Sequence, residues 1–167
     1  MRLALIDLYQ AKWSQEIHNE WIKNLLKNRP DLEPERVASI RFKMDQHVRD
    51  CLVEGYEELI KGITLPDPND RHVLAAAIKA NAQTIVTYNL SDFPAASLSK
   101  YGVEAQHPDD FLRFWLDQAT AKVIKIIRET RQSLRKPPKT PSEYLAILEG
   151  QSLPRTCACL REYIDFL

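Results

Sequence analysis

The stretch 67–93, DPNDRHVLAAAIKANAQTIVTYNLSDF, constrains the fold more than any other part of the chain. Four turn-forming residues, Asp67-Pro68-Asn69-Asp70, precede an alanine-rich helix, RHVLAAAIKANA. That helix runs almost directly into TIVTYN, whose clustered β-branched residues, flanked by polar turn residues, predict a buried strand. After SDFPAASLSKYG, a loop with a short helix, VEAQH reads as a last strand and PDDFLRFWL opens another helix. Strands that alternate with helices are joined by crossovers, which builds a parallel sheet covered by helices. The predicted class is therefore α/β.

Upstream, the chain is helix-rich. MRLALIDLY suits a short helix, and QAKWS is extended. SQEIHNEWIKNLLKN has Ser14 as N-cap and Ile17, Trp21, Ile22, Leu25 and Leu26 at helical spacing. Pro30 and Pro34 interrupt it, Glu35 to Asp50 forms another helix, and CLVEGYEELI has room for a short strand. At 167 residues with 44% hydrophobic and 28% charged residues, the chain can bury a sizeable core and is not a disordered polymer. Three cysteines do not make a secreted disulfide framework, which favours a reducing cytoplasm. No apolar run approaches the roughly 20 residues of a membrane span, and Asp7 breaks the only apolar run near the start.

Formal net charge is zero, so the chain is not a globally basic nucleic-acid binder. The charge is nevertheless uneven. Residues 117–139 hold seven basic and two acidic residues. On a helix of about 100° per residue, Lys125, Arg128, Arg131 and Arg135 share one arc, with Ala119, Val123, Ile126, Ile127 and Leu134 opposite. Such a stripe is either a solvated face or a contact for phosphate backbone or an acidic partner.

Acidic residues gather at the predicted loop-to-helix junctions. In 67–70, helix capping alone accounts for the composition: Asp67 as N-cap, Pro68 as first helical residue, Asp70 as a first-turn charge. His107-Pro108-Asp109-Asp110 follows the same grammar, and Thr140-Pro141-Ser142-Glu143 adds a capping box. Thr87-Tyr88-Asn89-Leu90-Ser91-Asp92 follows the best strand, at the sheet edge where functional groups of parallel sheets collect. Glu16 and Glu20 lie four apart, hence on one helix face. The chain has no phosphate-binding glycine loop, no zinc spacing and no nucleophile elbow. Cys157-Ala158-Cys159 lacks histidine partners for zinc. His72 reads as a helix-surface or packing residue.

DPNDRHVLAAAIKANAQTIVTYNLSDFP, followed by YGVEAQHPDDFL, closely resembles the PIN-domain family of metal-dependent ribonucleases, and most of all the bacterial VapC-type toxins. WSQEIHNEWIKNLL resembles the helix that carries that family's second acidic residue. The resemblance covers 1–116; 117–167 resembles a helical extension of one subgroup. It implies a three-layer α/β fold, with a short parallel sheet flanked by helices and acidic residues gathered at one end. Those acids would hold Mg²⁺ or Mn²⁺ for cleavage of RNA. By position Glu20 matches the second acid, Asp70 the third and Asp92 the fourth, with Asn89 and Thr87 as polar helpers and Asp67 a lesser candidate. The implied partners are an RNA substrate and an antitoxin protein, with a homodimer also compatible.

The sequence departs from the family in one place. PIN domains begin with a hydrophobic strand ending in the first catalytic Asp, and here the pattern starts inside the following helix. Asp7 does not substitute, because too few residues separate it from Glu20 for the intervening elements. The expectation is a sheet short of its central strand, a fragile domain and weakened metal affinity. A coding start placed downstream of that strand, a sheet rearranged or completed by a second copy, and a catalytically silent relative that binds RNA or protein are the competing accounts.

Overall fold

The computed structural model describes Leu3, Ala4 and residues 7–167. In chain order these residues form α1 (Gln15–Asn28), α2 (Pro34–His47), α3 (Glu57–Ile60), α4 (Arg71–Lys79), β1 (Thr84–Val86), α5 (Ala95–Leu98), β2 (Glu104–Gln106), α6 (Pro108–Gln118), α7 (Thr120–Gln132), α8 (Pro141–Gly150) and α9 (Pro154–Arg161). The helix expected over MRLALIDLY falls partly outside the described residues; within them, Asp7 has φ 54° and residues 7–9 are turn and bend. The chain divides into two compact units. The first holds most of 3–105, and the second holds 106–167 with Val86, Thr87 and Tyr88.

In the first unit, α4 is the central element. Leu74, Ala75, Ala76 and Ala77 are buried there together with Val53, Tyr56, Leu65, Ile85, Phe93, Leu98 and Val103. Small alanines let the helix backbone pack closely against the elements beneath it. β1 and β2 pair in parallel: the Glu104 N–H donates to the Gln83 carbonyl at 2.9 Å and the Thr87 N–H to the Gln106 carbonyl at 3.0 Å. Gly102, at φ 68°, makes the left-handed turn that brings the chain into β2. The expected burial of TIVTYN is only half realised. Ile85 is buried, but Val86 is 43% and Tyr88 61% exposed, because a strand alternates faces and this one covers only one of them.

A second parallel pairing is a single bridge, Trp13 to Leu52, which is the short strand foreseen in CLVEGYEELI. Among the described residues no strand pairs with both this bridge and β1.

A polar network fixes α1. His18 is fully buried; its Nε2 donates to Asp45 Oδ1 at 2.9 Å, and its Nδ1 accepts from Trp21 Nε1 at 2.8 Å. Trp13 Nε1 donates to the same Asp45 oxygen at 2.7 Å. Burial pushes the Asp45 carboxyl up, but the hydrogen bonds from Trp13 and His18 outweigh it and hold it below the usual range. So a histidine, not the apolar row predicted for α1, is the residue this helix buries; the apolar row is half-buried. At about 100° per residue, Glu16 and Glu20 lie on the side opposite His18.

The second unit is helical. Leu116, Val123, Ile126, Leu145, Cys157 and Leu160 are buried in it. Burial pushes the Cys157 thiol up to about 11, so it behaves as a small core residue. Asp109, 3% exposed, joins α6 to α9: its Oδ2 accepts from Arg155 N at 2.9 Å and its Oδ1 from Thr156 N at 2.8 Å. α6, assigned from sequence to the first part of the chain, thus packs with the C-terminal helices. The long basic helix expected over 117–139 is not continuous. The backbone breaks at Ala119, with φ −146° and ψ 48°, and the helix ends at Gln132. Pro137 and Pro138 cannot donate to a helix ladder, and Arg135 bridges to Pro138 instead.

Candidate active site

Five residues of one α1 face, Glu16, Asn19, Glu20, Lys23 and Asn24, recur at helical spacing and line an open cleft of about 850 Å³ in the first unit. Asp67, Asn69, Asp70 and His72, from the start of α4, line its other side. The local sequence explains that second wall. Asp67 accepts from Asn69 N at 2.8 Å and caps a 3-10 turn over Pro68–Asp70, which leads straight into α4. The turn holds Asp70 in place, and the buried apolar side of α4 anchors the turn.

Among the described carboxyls with a clear shift, Asp70 is the one held above its ordinary range. Burial pushes its carboxyl above the ordinary range, and the negative charges of Asp92, Asp67 and Glu20 push it the same way. Its carboxyl also shares a hydrogen bond with that of Asp92. Asp92 does not line the cleft but abuts Asp70 from a 3-10 turn, Leu90–Asp92. Asn89 holds it there by donating from Nδ2 to Asp92 Oδ2, and Ser91 Oγ donates to Asn89 Oδ1 at 2.7 Å. Residues 20, 67, 70 and 92 thus meet from three separate stretches of the first unit. Thr87 belongs to the second unit, where its N–H pairs with Gln106.

His72 and Glu16 line the cleft, although sequence reasoning placed neither of them in the site. His72 is 7% exposed and not on the helix surface. Its Nε2 lies 3.0 Å from Glu20 Oε1, and its Nδ1 lies 3.7 Å from Glu16 Oε2 without a hydrogen bond. Glu16 accepts from the hydroxyl of buried Tyr56 at 2.9 Å. The i, i+4 spacing of Glu16 and Glu20 was a signal for the pairing; nothing in the sequence marked Tyr56.

Among the described residues, no three His, Cys, Asp or Glu side chains close on a common point tightly enough to enclose an ion. Mg²⁺, however, is commonly held through one or two carboxylates, with water and substrate phosphate in its other positions. The Asp70–Asp92 pair, with Glu20 beside it, suits that hard-oxygen donor set, and a cation there would relieve the crowding that Asp70 registers.

The four basic residues singled out in the C-terminal part are not equivalent. Arg131 gives its guanidinium to the Leu167 carbonyl at 2.9 Å and the Lys139 carbonyl at 2.5 Å. Lys125 lies 4.0 Å from Glu129. Arg128 is exposed on α7, and Arg135 lies beyond the end of that helix. Among the described residues no helix is long and apolar enough to cross a membrane.

A parallel sheet under an alanine-rich helix, with acids gathered around the helix start, is the arrangement of a PIN domain. The PIN domain family matches residues 1–91, and this chain belongs to it. The C-terminal domain of VapC50 matches residues 108–162. Over 107 residues the chain is 39% identical to "Putative ribonuclease VapC50" of Mycobacterium tuberculosis; the match covers 64% of this chain and 62% of that protein. No solved structure matches significantly.

Proposed function

We propose that this chain is a metal-dependent endoribonuclease of the PIN type, the toxin of a bacterial toxin–antitoxin pair acting on RNA in the cytoplasm. Glu20, Asp70 and Asp92 are the groups that would hold Mg²⁺ or Mn²⁺. Asn89 keeps Asp92 turned towards Asp70, and Thr87 helps position water or phosphate. Lys23, the one lysine or arginine among the described residues lining the cleft, attracts the phosphate of a strand lying in it. Lys125, Arg128 and Arg135 add a basic contact for RNA or an acidic partner, and Arg131, bonded to the Leu167 and Lys139 carbonyls, contributes its charge. When bound, a divalent ion polarises a phosphoryl oxygen and lowers the pKa of an attacking water. The observation that carries this reading is the Asp70 carboxyl, raised by burial and by carboxylates of separate segments. The 39% identity to the protein named "Putative ribonuclease VapC50" supports it from the sequence side.

The test is RNA cleavage in Mn²⁺ and in EDTA, for the natural chain and Asp70→Asn. Cleavage should require the ion and fall about 100-fold in the variant. Cleavage that survives both EDTA and Asp70→Asn refutes the mechanism. A second reading, a PIN-like protein that binds RNA or a protein without cutting, is favoured by one observation: no three described ligands close on a point. Tight RNA binding in Mn²⁺ without any cleavage would select it.

A further inference from the structure

We infer that His72 is the positioning residue of this cleft, a strut that holds Glu20 at a fixed spacing from Asp70. The inference rests on the proposed metal site and adds to it a residue that touches no substrate.

The argument starts from cost. His72 sits on α4, where Leu74, Ala75, Ala76 and Ala77 are buried within a few residues of it. A leucine would fill the same space without burying a polar ring. Instead an imidazole is buried, with Nδ1 left without a hydrogen bond beside a carboxylate oxygen at 3.7 Å. Buried polar groups without partners are disfavoured, so packing alone does not account for this side chain. What the ring does make is one bond, Nε2 to Glu20 Oε1 at 3.0 Å. An ionised carboxylate can only accept, so Nε2 carries the proton and donates.

The geometry gives that bond its consequence. The Glu20 side chain is 49% exposed and hangs on three rotatable bonds. Left alone it would sample many rotamers. The His72 ring is rigid, buried and rooted at the start of α4, two residues after Asp70, which ends the capped turn that leads into that helix. A bond from this ring therefore ties an α1 carboxylate to the turn that carries Asp70. Glu16, one turn earlier on α1, is held in the same manner by Tyr56, whose residue is 4% exposed. Both glutamates of this face are thus braced by buried donors from elsewhere in the unit. Outer partners of this kind set ligand orientation, and their loss weakens metal affinity without removing any ligand.

The experiment has two arms, both on the full chain. In the first, Mn²⁺ binding is followed by electron paramagnetic resonance for the natural chain, His72→Leu and His72→Gln, with a thermal melt of each. His72→Leu should weaken Mn²⁺ binding about tenfold with the fold retained. His72→Gln, whose amide can still donate to Glu20, should stay within about threefold. In the second, metal-free arm, the His72 Hε2 proton is observed by nitrogen-correlated NMR. It should be protected from solvent exchange in the natural chain and lose that protection in Glu20→Ala. A folded His72→Leu that binds Mn²⁺ as tightly as the natural chain overturns the inference and leaves the nuclease reading standing. Absence of Mn²⁺ binding by the natural chain sinks the metal site and this inference with it. Should His72→Leu not fold, the exchange arm decides: an unprotected Hε2 in the natural chain refutes the strut.

Discussion

Asp67-Pro68-Asn69-Asp70 and His107-Pro108-Asp109-Asp110 are written in the same local grammar, and the two units use it in opposite ways. Each has a capping side chain, a proline at the first helical position and acids in the first turn. In the second unit, burial pushes the Asp109 carboxyl up, but the Thr156 side chain and the Thr156 and Arg155 N–H groups of α9 outweigh it and hold it below the usual range. In the first unit, Asp70 meets burial and three other carboxylates, and its carboxyl is held above that range. One acid joins two helices. The other stores repulsion at a cleft. The comparison teaches that a helix-start acid ends up satisfied or crowded according to what the rest of the chain brings to it.

The largest effect should come from Asp109. Asp109→Ala leaves one buried and one half-buried N–H group without an acceptor, and should cost about 3 kcal/mol in a urea melt; a loss under about 1 kcal/mol would break the contrast.

Acid provides the second handle. Asp109 and Asp45 have depressed folded pKa values, so the stability they add is present above their unfolded value of about 3.9 and disappears as pH falls through their folded values. Asp70 has the opposite sign: its contribution is most favourable at low pH and declines as pH rises through its elevated folded pKa. Melts between pH 7 and pH 3 should therefore lose stability, with Asp109→Asn flattening the loss and Asp70→Asn steepening it. Identical pH profiles for the two variants would mean that the acids do not differ as described.

The third helix start, at Thr140, sharpens the comparison because capping bonds dominate there, with only the charge of Lys139 beside them. Thr140 and Glu143 form a capping box, and the Thr140 N–H holds the Glu143 carboxyl below its usual range. Thr140→Ala should cost about 1 kcal/mol in the same melt, well short of Asp109→Ala. The smallest effect belongs to Asp70→Asn at neutral pH, which should leave stability unchanged or raise it by about 0.5 kcal/mol. A clear destabilisation would show that the Asp70 carboxylate is structural after all.

Much of the fold was legible in the sequence because its signals are local. Ser14, Asp67, His107 and Thr140 cap where their spacing places them, since a cap bond spans only two or three residues. The alternation of alanine-rich helix and β-branched strand announced α4, β1 and β2. Legibility failed where a distant segment decided the outcome. The basic run 117–139 has helical periodicity throughout, yet the helix breaks at Ala119 and ends at Gln132, and Arg131 turns to the Lys139 and Leu167 carbonyls. His72 could not be distinguished from a packing residue without Glu20, which lies 52 positions away.

The sequence by itself determined the capped helix starts at Ser14, Asp67, His107 and Thr140, the α/β class and the candidate acids, because capping, periodicity and β-branching act over a few residues. Only the tertiary structure decided which acid is satisfied and which is crowded. The field at a carboxylate depends on distance in space, and residues 20, 70 and 92 become neighbours only when α1 and the turn after β1 meet the start of α4.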